Sequence, residues 1–487
     1  MIFDTRHNTF ANIIFLNSQH TIRNGKTKFF KGVKQIKADR KLAITGTPFV
    51  NRSDDVHSLL SFLGVQPLEN KTIFTRAIST PIKNGDDLGL TRLRTCMGFV
   101  SLRRSKENVN MEIKMVEKDV QLCRVEFPQD LHKNVYDALF GTIKVAMEAI
   151  LNEGDGSQAL KHYSSIFEKL LRLRQACCSG TMISKQRREL AFKAWEEVKS
   201  TDGKRKLSAE EGLALLNKLK STFTQDTEDL PECGICLTEM EVSDGTILKG
   251  CNHVFCKLCI RQVLLKSNRK CPYCRRDFDE RDIVDMGAAE SAANTKTCEG
   301  KDEKGAEFGL PPKIQAMLEA IKGMKKDEKG VIFSQFTSYL DLIGDALKVL
   351  GHKFVRIDGS VSAEKRISYI HKFNSDQEGS PRFILCSLLA SGTGINLTRG
   401  NWAFMMDTWW NEAIENQAMD RIHRINQTRK VTVLRFVMKD SIEERIVALQ
   451  ETKSMQAKGV LQKLKGDEKR KALLSNLRGL LDIEERE

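Results

Sequence analysis

The feature that most constrains this 487-residue chain is a run of cysteines with one histidine between Cys233 and Cys274. Cys233, Cys236, Cys251, His253, Cys256, Cys259, Cys271 and Cys274 follow the spacing C-x2-C-x14-C-x-H-x2-C-x2-C-x11-C-x2-C. Structural zinc takes four thiolate or imidazole ligands tetrahedrally, and a C-x2-C knuckle supplies half a shell from one tight turn. The run therefore predicts two complete zinc sites. The remaining cysteines of the 13, namely Cys96, Cys123, Cys177, Cys178, Cys298 and Cys386, show no pairing pattern, which points to a reducing compartment.

The ligand pattern resembles a RING finger of the C3HC4 type. The resemblance implies interleaved pairs, with Cys233, Cys236, Cys256 and Cys259 on one zinc and Cys251, His253, Cys271 and Cys274 on the other. It also implies a surface for a ubiquitin-conjugating enzyme and ubiquitin, formed by Ile235, Val263, Pro272 and Arg275. Val263 stands where many such ligases carry tryptophan, so a shallower groove is expected. The residues alone leave a second reading open, in which the zinc module holds its own fold and binds nothing.

Composition narrows the rest. The length suits two or three domains with real cores. Lys and Arg exceed Asp and Glu by 14, and the pI near 9.1 suits a polyanionic partner. Only 9 prolines favour long uninterrupted helices. No apolar run approaches the ~20 residues of a membrane span and no signal-peptide pattern opens the chain, so no membrane partner is expected.

Ile13-Ile14-Phe15-Leu16 reads as a buried parallel strand followed by Asn17-Ser18-Gln19-His20, and Lys41-Leu42-Ala43-Ile44 as a second strand leading into Thr45-Gly46-Thr47-Pro48 and Asn51. Gly25-Lys26-Thr27 is no phosphate-binding P-loop, because His20 occupies the place of the first glycine. From about 129 to 225 the pattern is helical around Leu170-Leu171-Arg172-Leu173-Arg174-Gln175. After the zinc run, residues 277 to 309 read as a polar linker.

Beyond the linker, strands and helices alternate. Val331-Ile332-Phe333, Phe354 to Ile357, Phe383 to Cys386, Ala403 to Met406 and Val431 to Val437 read as strands. Tyr339 to Leu350 and Ser362 to Asn374 read as helices, and a last helix opens on a capping box of Ser441 and Glu444. This order predicts a parallel sheet covered on both faces. Gln417, Arg421 and Arg424 are spaced to share one helix face, beside an apolar stripe of Ile414, Ala418, Ile422 and Ile425. Arginines presented in this way could neutralise a transferring γ-phosphoryl group. His423 has no companion at ligand spacing and reads as structural.

These segments resemble the motifs of SWI/SNF-related, helicase-like proteins. Thr45-Gly46-Thr47-Pro48 is similar to motif III, Leu102-Arg103-Arg104-Ser105-Lys106 to the segment after the first lobe, and Ser334-Gln335-Phe336 to motif IV. The stretch from Ala390 to Thr398 is similar to motif V, and that from Gln417 to Gln427 to motif VI. A RING between two ATPase lobes is the arrangement of the subgroup that includes the helicase-like transcription factor and its yeast post-replication repair counterpart. The resemblance implies an α/β chain. Residues 1–125 form the C-terminal part of a first RecA-like lobe, 126–225 a helical region and 226–285 the RING. A flexible linker at 286–310, a second RecA-like lobe at 311–455 and a charged helical tail at 456–487 follow.

It further implies a nuclear protein that acts on duplex DNA through backbone contacts and couples ATP-driven translocation to ubiquitin transfer in DNA repair or chromatin remodelling. The expected roles are Gln417, Arg421 and Arg424 in catalysis, Thr45, Gly46, Thr47, Gly392 and Gly394 on ATP with Mg²⁺, and Ser334, Gln335 and Thr398 on DNA. In two respects the chain departs from the family pattern. The upstream half of the first lobe, with its P-loop, is not found, and the family's D-E-x-H reads Asn17-Ser18-Gln19-His20. ATP hydrolysis by these residues alone is therefore expected to be defective. The alternative is a non-catalytic DNA-binding scaffold with a structural zinc module.

Overall fold

The computed structural model describes residues 11–17, 25, 28–44, 53–84, 86–102, 115–152, 163–200, 207–219, 245–249, 251, 253–264, 269–272, 276–285, 308–388, 395–459 and 466–483. The chain divides into two compact units, residues 1–109 with 460–471, and residues 110–459 with 472–487.

In the first unit, strands β1 (Ala11–Asn17) and β2 (Ala38–Ile44) pair in parallel with Asn17 opposite Ile44. Helix α1 (Lys28–Gln35) lies between them in the chain, and α2 (Ser53–Leu63) follows. Phe30 from α1 packs with Leu59 and Phe62 from α2.

The second unit is built on a six-stranded, all-parallel sheet of order β3-β11-β10-β7-β9-β8. Its members in the C-terminal half are β7 (Gly330–Ser334), β8 (Phe354–Ile357), β9 (Phe383–Ser387), β10 (Trp402–Met405) and β11 (Val431–Met438). The edge strand is β3 (Lys118–Val125), paired with β11 over its whole length. A boundary at 125 therefore does not follow the fold, because β3 belongs to the second sheet. Its pairing partner lies some three hundred residues downstream, and only tertiary contact reveals the membership.

Alternating side chains send this sheet into two cores, as the pleat requires. Ile332, Leu385, Phe404 and Leu434 meet one set of helices, and Val331, Phe333, Ile384, Cys386 and Ala403 face the other way. Before β7 the chain forms α3 (Leu131–Asn152), α4 (Tyr163–Cys178), α5 (Lys185–Ser200) and α6 (Ala209–Lys218), then α7 (Lys257–Leu264) and α8 (Pro312–Lys322). Helices α9 (Thr337–Val349), α10 (Ala363–Asn374), α11 (Glu412–Met419), α12 (Ile442–Gly459) and, from residue 472 on, α13 (Gly466–Leu481) complete it. Ile314, Met317, Tyr339 and Ile343 of α8 and α9 cover the first face, and Phe373 of α10 with Ala418 of α11 the second.

Helices α3 to α6 share a third core with α12 and the end of α13, through Ile143, Leu170, Ala191, Leu216, Ile446 and Leu477. Gly141 makes that core possible, since a Cβ there would overlap the Trp195 ring. The zinc-run segment is a small antiparallel sheet of β4 (Gly245–Leu248), β5 (Val254–Cys256) and β6 (Ile283–Asp285), with α7 against it. The cap of α12 differs from the expected capping box. Glu444 accepts from the amide of Asp440 at 2.9 Å, and the Ser441 hydroxyl accepts from the amide of Glu443 at 3.1 Å.

Candidate zinc centre and the carboxyl edge of the second sheet

Cys251 follows β4, His253 precedes β5, and Cys271 follows the bridge at Lys270. Their ligand atoms lie within 4.8 Å of one another, with Cys271 Sγ 3.5 Å from His253 Nδ1. Two ligands on one tetrahedral zinc, at about 2.3 Å for sulfur and about 2.05 Å for nitrogen, stand about 3.6 Å apart. The donor set thus fits zinc, with Nδ1 as the imidazole ligand. Cys256 and Cys259 bracket the first turn of α7, where the Cys259 amide donates to Cys256 Sγ at 3.4 Å. Cys233, Cys236 and Cys274, as well as Ile235 and Arg275, lie outside the described residues.

Val263 and Pro272 have different surroundings. Pro272 is exposed, whereas Val263 is 8% exposed and packs with Phe255, Ile260 and Cys271 in the small core. Val263 lies three residues after Ile260 on α7, on the same inward face. It supports the module from within and does not form part of a docking surface.

Because every strand of the large sheet runs the same way, the carboxyl ends of β7, β9 and β10 open on one edge, where open α/β sheets place their ligands. Asp407 sits there, fully buried after β10, and accepts from the Ser334 hydroxyl and, at 3.0 Å, from the Gln335 amide. Burial pushes its carboxyl pKa up, against the pull of Arg174, Ser334 and Lys313. Ser334 is itself fully buried, so its side chain cannot meet a DNA phosphate and instead orients Asp407. Gln335 and Thr398 are half-buried.

The Gln417, Arg421 and Arg424 series does not lie on one helix. Helix α11 stops at Met419, and both arginines fall in the turns that follow. The stop is tertiary in origin: the Leu397 amide donates to the Arg421 carbonyl at 3.0 Å, and the Gln427 side chain donates to the carbonyls of Gly400 and Ile422. Ala418 and Ile422 are buried as expected, but Ile425 is 61% exposed and leaves the apolar stripe. Gln417 is half-buried on the helix. Arg421 is half-buried, its guanidinium pKa lowered by burial and by the nearby Arg424 charge. Arg424 is exposed and donates to the Ile395 carbonyl at 3.3 Å. His423 is buried with Nε2 2.8 Å from the Val116 carbonyl. Thr45, Gly46, Thr47, Gly392 and Gly394 lie outside the described residues.

Comparison with known proteins gives these pieces a common frame. The SNF2-related domain model matches residues 3–182, the Ring finger domain model residues 231–275, and the Helicase conserved C-terminal domain model residues 312–426. The chain thus carries SNF2-related, RING finger and helicase C-terminal segments in that order, and it is similar over nearly its whole length to SWI/SNF-related, helicase-like proteins. A putative SWI/SNF-related matrix-associated actin-dependent regulator of chromatin subfamily A member 3-like 1 from Arabidopsis thaliana is 33% identical over 96% of this chain and 51% of its own length. The helicase-like transcription factor of Homo sapiens is 32% identical over 96% of this chain and 45% of its own. DNA repair protein RAD5 of Saccharomyces cerevisiae is 31% identical over 96% and 42% respectively. The chain therefore spans about half the length of the curated relatives it matches.

Four residues at the carboxyl edge were not singled out as functional by sequence reasoning: Asp407, Glu415, Lys313 and Glu443. Asp407 carries a legible signal, an acidic residue directly after an apolar parallel strand. Lys313 carries none, since a lysine in the first turn of a helix reads as a surface residue, yet here it is fully buried against Glu443 at 2.6 Å.

Proposed function

We propose that this chain is a RING-type ubiquitin-protein ligase carried on a SWI/SNF-type frame that engages duplex DNA, and that it works in the nucleus in DNA repair or chromatin remodelling. The observation that carries this reading is the convergence of the Cys251, His253 and Cys271 ligand atoms to within 4.8 Å of one another, inside the segment that matches a RING finger. A RING ligase does not touch the reacting bond. It holds the charged conjugating enzyme so that the acyl group passes to a substrate amine, and the RING pattern assigns that task to Ile235, Pro272 and Arg275, of which Pro272 is described and exposed.

Zinc supplies the fold in this scheme. Cys251, His253, Cys271 and Cys274 would hold one ion, and Cys233, Cys236, Cys256 and Cys259 the second. Duplex DNA would be met by phosphate contacts from Gln335, Thr398 and the surplus of basic residues, with little base preference and a steep salt dependence.

The test is ubiquitin-chain formation by the 487-residue chain with a panel of conjugating enzymes. Transfer that disappears in Cys256→Ser supports the reading. No transfer with any enzyme, together with salt-sensitive binding to duplex DNA, would leave the scaffold reading in its place.

A further inference from the structure

We propose that Arg174 and Lys313, from the two helices that lie on either side of the RING segment in the chain, are positioning residues that clamp the Met406–Trp410 loop and thereby the Gln417–Gln427 segment. The inference concerns the placement of that loop and does not depend on ubiquitin transfer or on ATP turnover.

The loop leaves β10 at the carboxyl edge and leads directly into α11. Three of its carbonyls are met by side chains from three helices. Lys313 Nζ of α8 donates to the Met406 carbonyl at 3.2 Å, Arg174 of α4 donates to the Thr408 carbonyl, and Gln450 of α12 donates to the Trp409 carbonyl. The Asp407 carboxylate is subject to the charge of both cations and accepts from the Ser334 hydroxyl and the Gln335 amide. Arg174 also lies over the rings of Phe336, Trp409 and Trp410 at 5.8, 5.8 and 5.1 Å, so its charge meets aromatic faces as well as a carbonyl. Lys313 is tied to Glu443 at 2.6 Å, and Glu443 in turn accepts from the Met438 amide at 2.9 Å.

Beyond the loop the grip continues into α11. The Trp409 amide donates to Glu415 at 2.6 Å, and Arg435 of β11 donates to Glu415 at 2.7 Å and to Gln450 at 2.9 Å. The helix that presents Gln417 and leads to Arg421 and Arg424 is therefore held directly by β11 and α12, and through the loop by α4 and α8. Apolar packing alone tolerates sliding, whereas a buried donor and acceptor fix one geometry because the unpaired state is costly.

Fully buried Arg174 and Lys313 are also expected to matter for stability, so the experiment must separate placement from folding. Amide hydrogen exchange is measured across the full chain for two charge-balanced pairs, Arg174→Met with Asp407→Asn and Lys313→Met with Glu443→Gln. It is also measured for Gln450→Met, which removes no charge. Each pair avoids leaving one buried ion uncompensated, and should recover most of the unfolding midpoint lost in Arg174→Met or Lys313→Met alone. The clamp predicts that exchange across residues 406–427 rises on the order of tenfold in the balanced pairs while β7 and β9 stay protected. Gln450→Met should show the same local rise, centred on 409–416. Unchanged protection of 406–427 in all folded variants would overturn the proposal. So would a rise spread evenly over the whole sheet, which would mark Arg174 and Lys313 as general stabilisers only.

Discussion

Glu168 shows how little a side chain's type reveals of its role here. On α4 it is nearly buried, with Lys169 at 2.6 Å, Arg187 at 3.1 Å and Arg172 at 3.4 Å. Burial raises its carboxyl pKa, but the three cations outweigh that and hold it at about 2. A depressed carboxyl stabilises the fold above its ordinary value near 4.5, and that contribution is lost as pH falls toward about 2. Glu168→Gln should therefore cost about 3–5 kcal/mol at neutral pH, because it leaves three buried cations without their anion. The difference from wild type should narrow as denaturant midpoints are followed down through that window. Val263 gives a second residue-scale expectation. Since it lies in the small core, Val263→Ala should lower the stability of the zinc module by roughly 2 kcal/mol, read as an earlier loss of zinc under denaturant. A change in conjugating-enzyme affinity with stability untouched would place Val263 back on the docking surface. At this scale the sequence was informative about chemistry but not about burial: the ligands Cys251, His253 and Cys271 are set by spacing, whereas Val263, Ser334 and Lys313 have environments that only folding reveals.

At the scale of elements, continuous apolar runs made β7, β9 and β10 legible, because a central parallel strand is buried on both faces. Strand β3 was not, since Lys118–Val125 has neither a continuous apolar run nor a regular alternation and Val120 is 43% exposed at the sheet edge. The end of α11 was missed for a different reason: its amphipathic pattern runs on through Ile422, and the stop comes from Leu397 and Gln427, which are remote from the helix's own capping positions. Close packing between strands gives a prediction at this scale. A Cβ on Gly330 would stand 2.8 Å from the Phe383 ring and 3.0 Å from that of Phe404. Gly330→Ala should thus overpack the middle of the sheet at a cost of about 1–3 kcal/mol, visible as a lower unfolding midpoint of the second unit. An unchanged midpoint would mean that the rings move aside freely.

For the whole molecule, the domain order was readable from motif order alone, and the matches at 3–182, 231–275 and 312–426 follow it. ATP chemistry is where the family pattern and these residues diverge. Asn17 and Ser18 replace the carboxylates that would hold Mg²⁺ and polarise water. These 487 residues should accordingly hydrolyse ATP at or near background with or without DNA. A DNA-stimulated turnover near ~1 s⁻¹ or faster that is lost in Arg424→Ala would contradict this. Zinc removal tests a separate part of the architecture. Structural zinc contributes on the order of 10–16 kcal/mol in small modules, so Cys256→Ser should unfold the segment around β4 to β6 while the parallel sheet, which has its own cores, keeps its midpoint. The central claim is that the RING segment is an active docking module and not only a folded knot of zinc. It is tested most directly by ubiquitin-chain formation in wild type against Ile235→Ala, with zinc content measured on the same samples. The account predicts two zinc ions in both proteins and chains from the wild type alone; Ile235→Ala chains at the wild-type rate across several conjugating enzymes would contradict it.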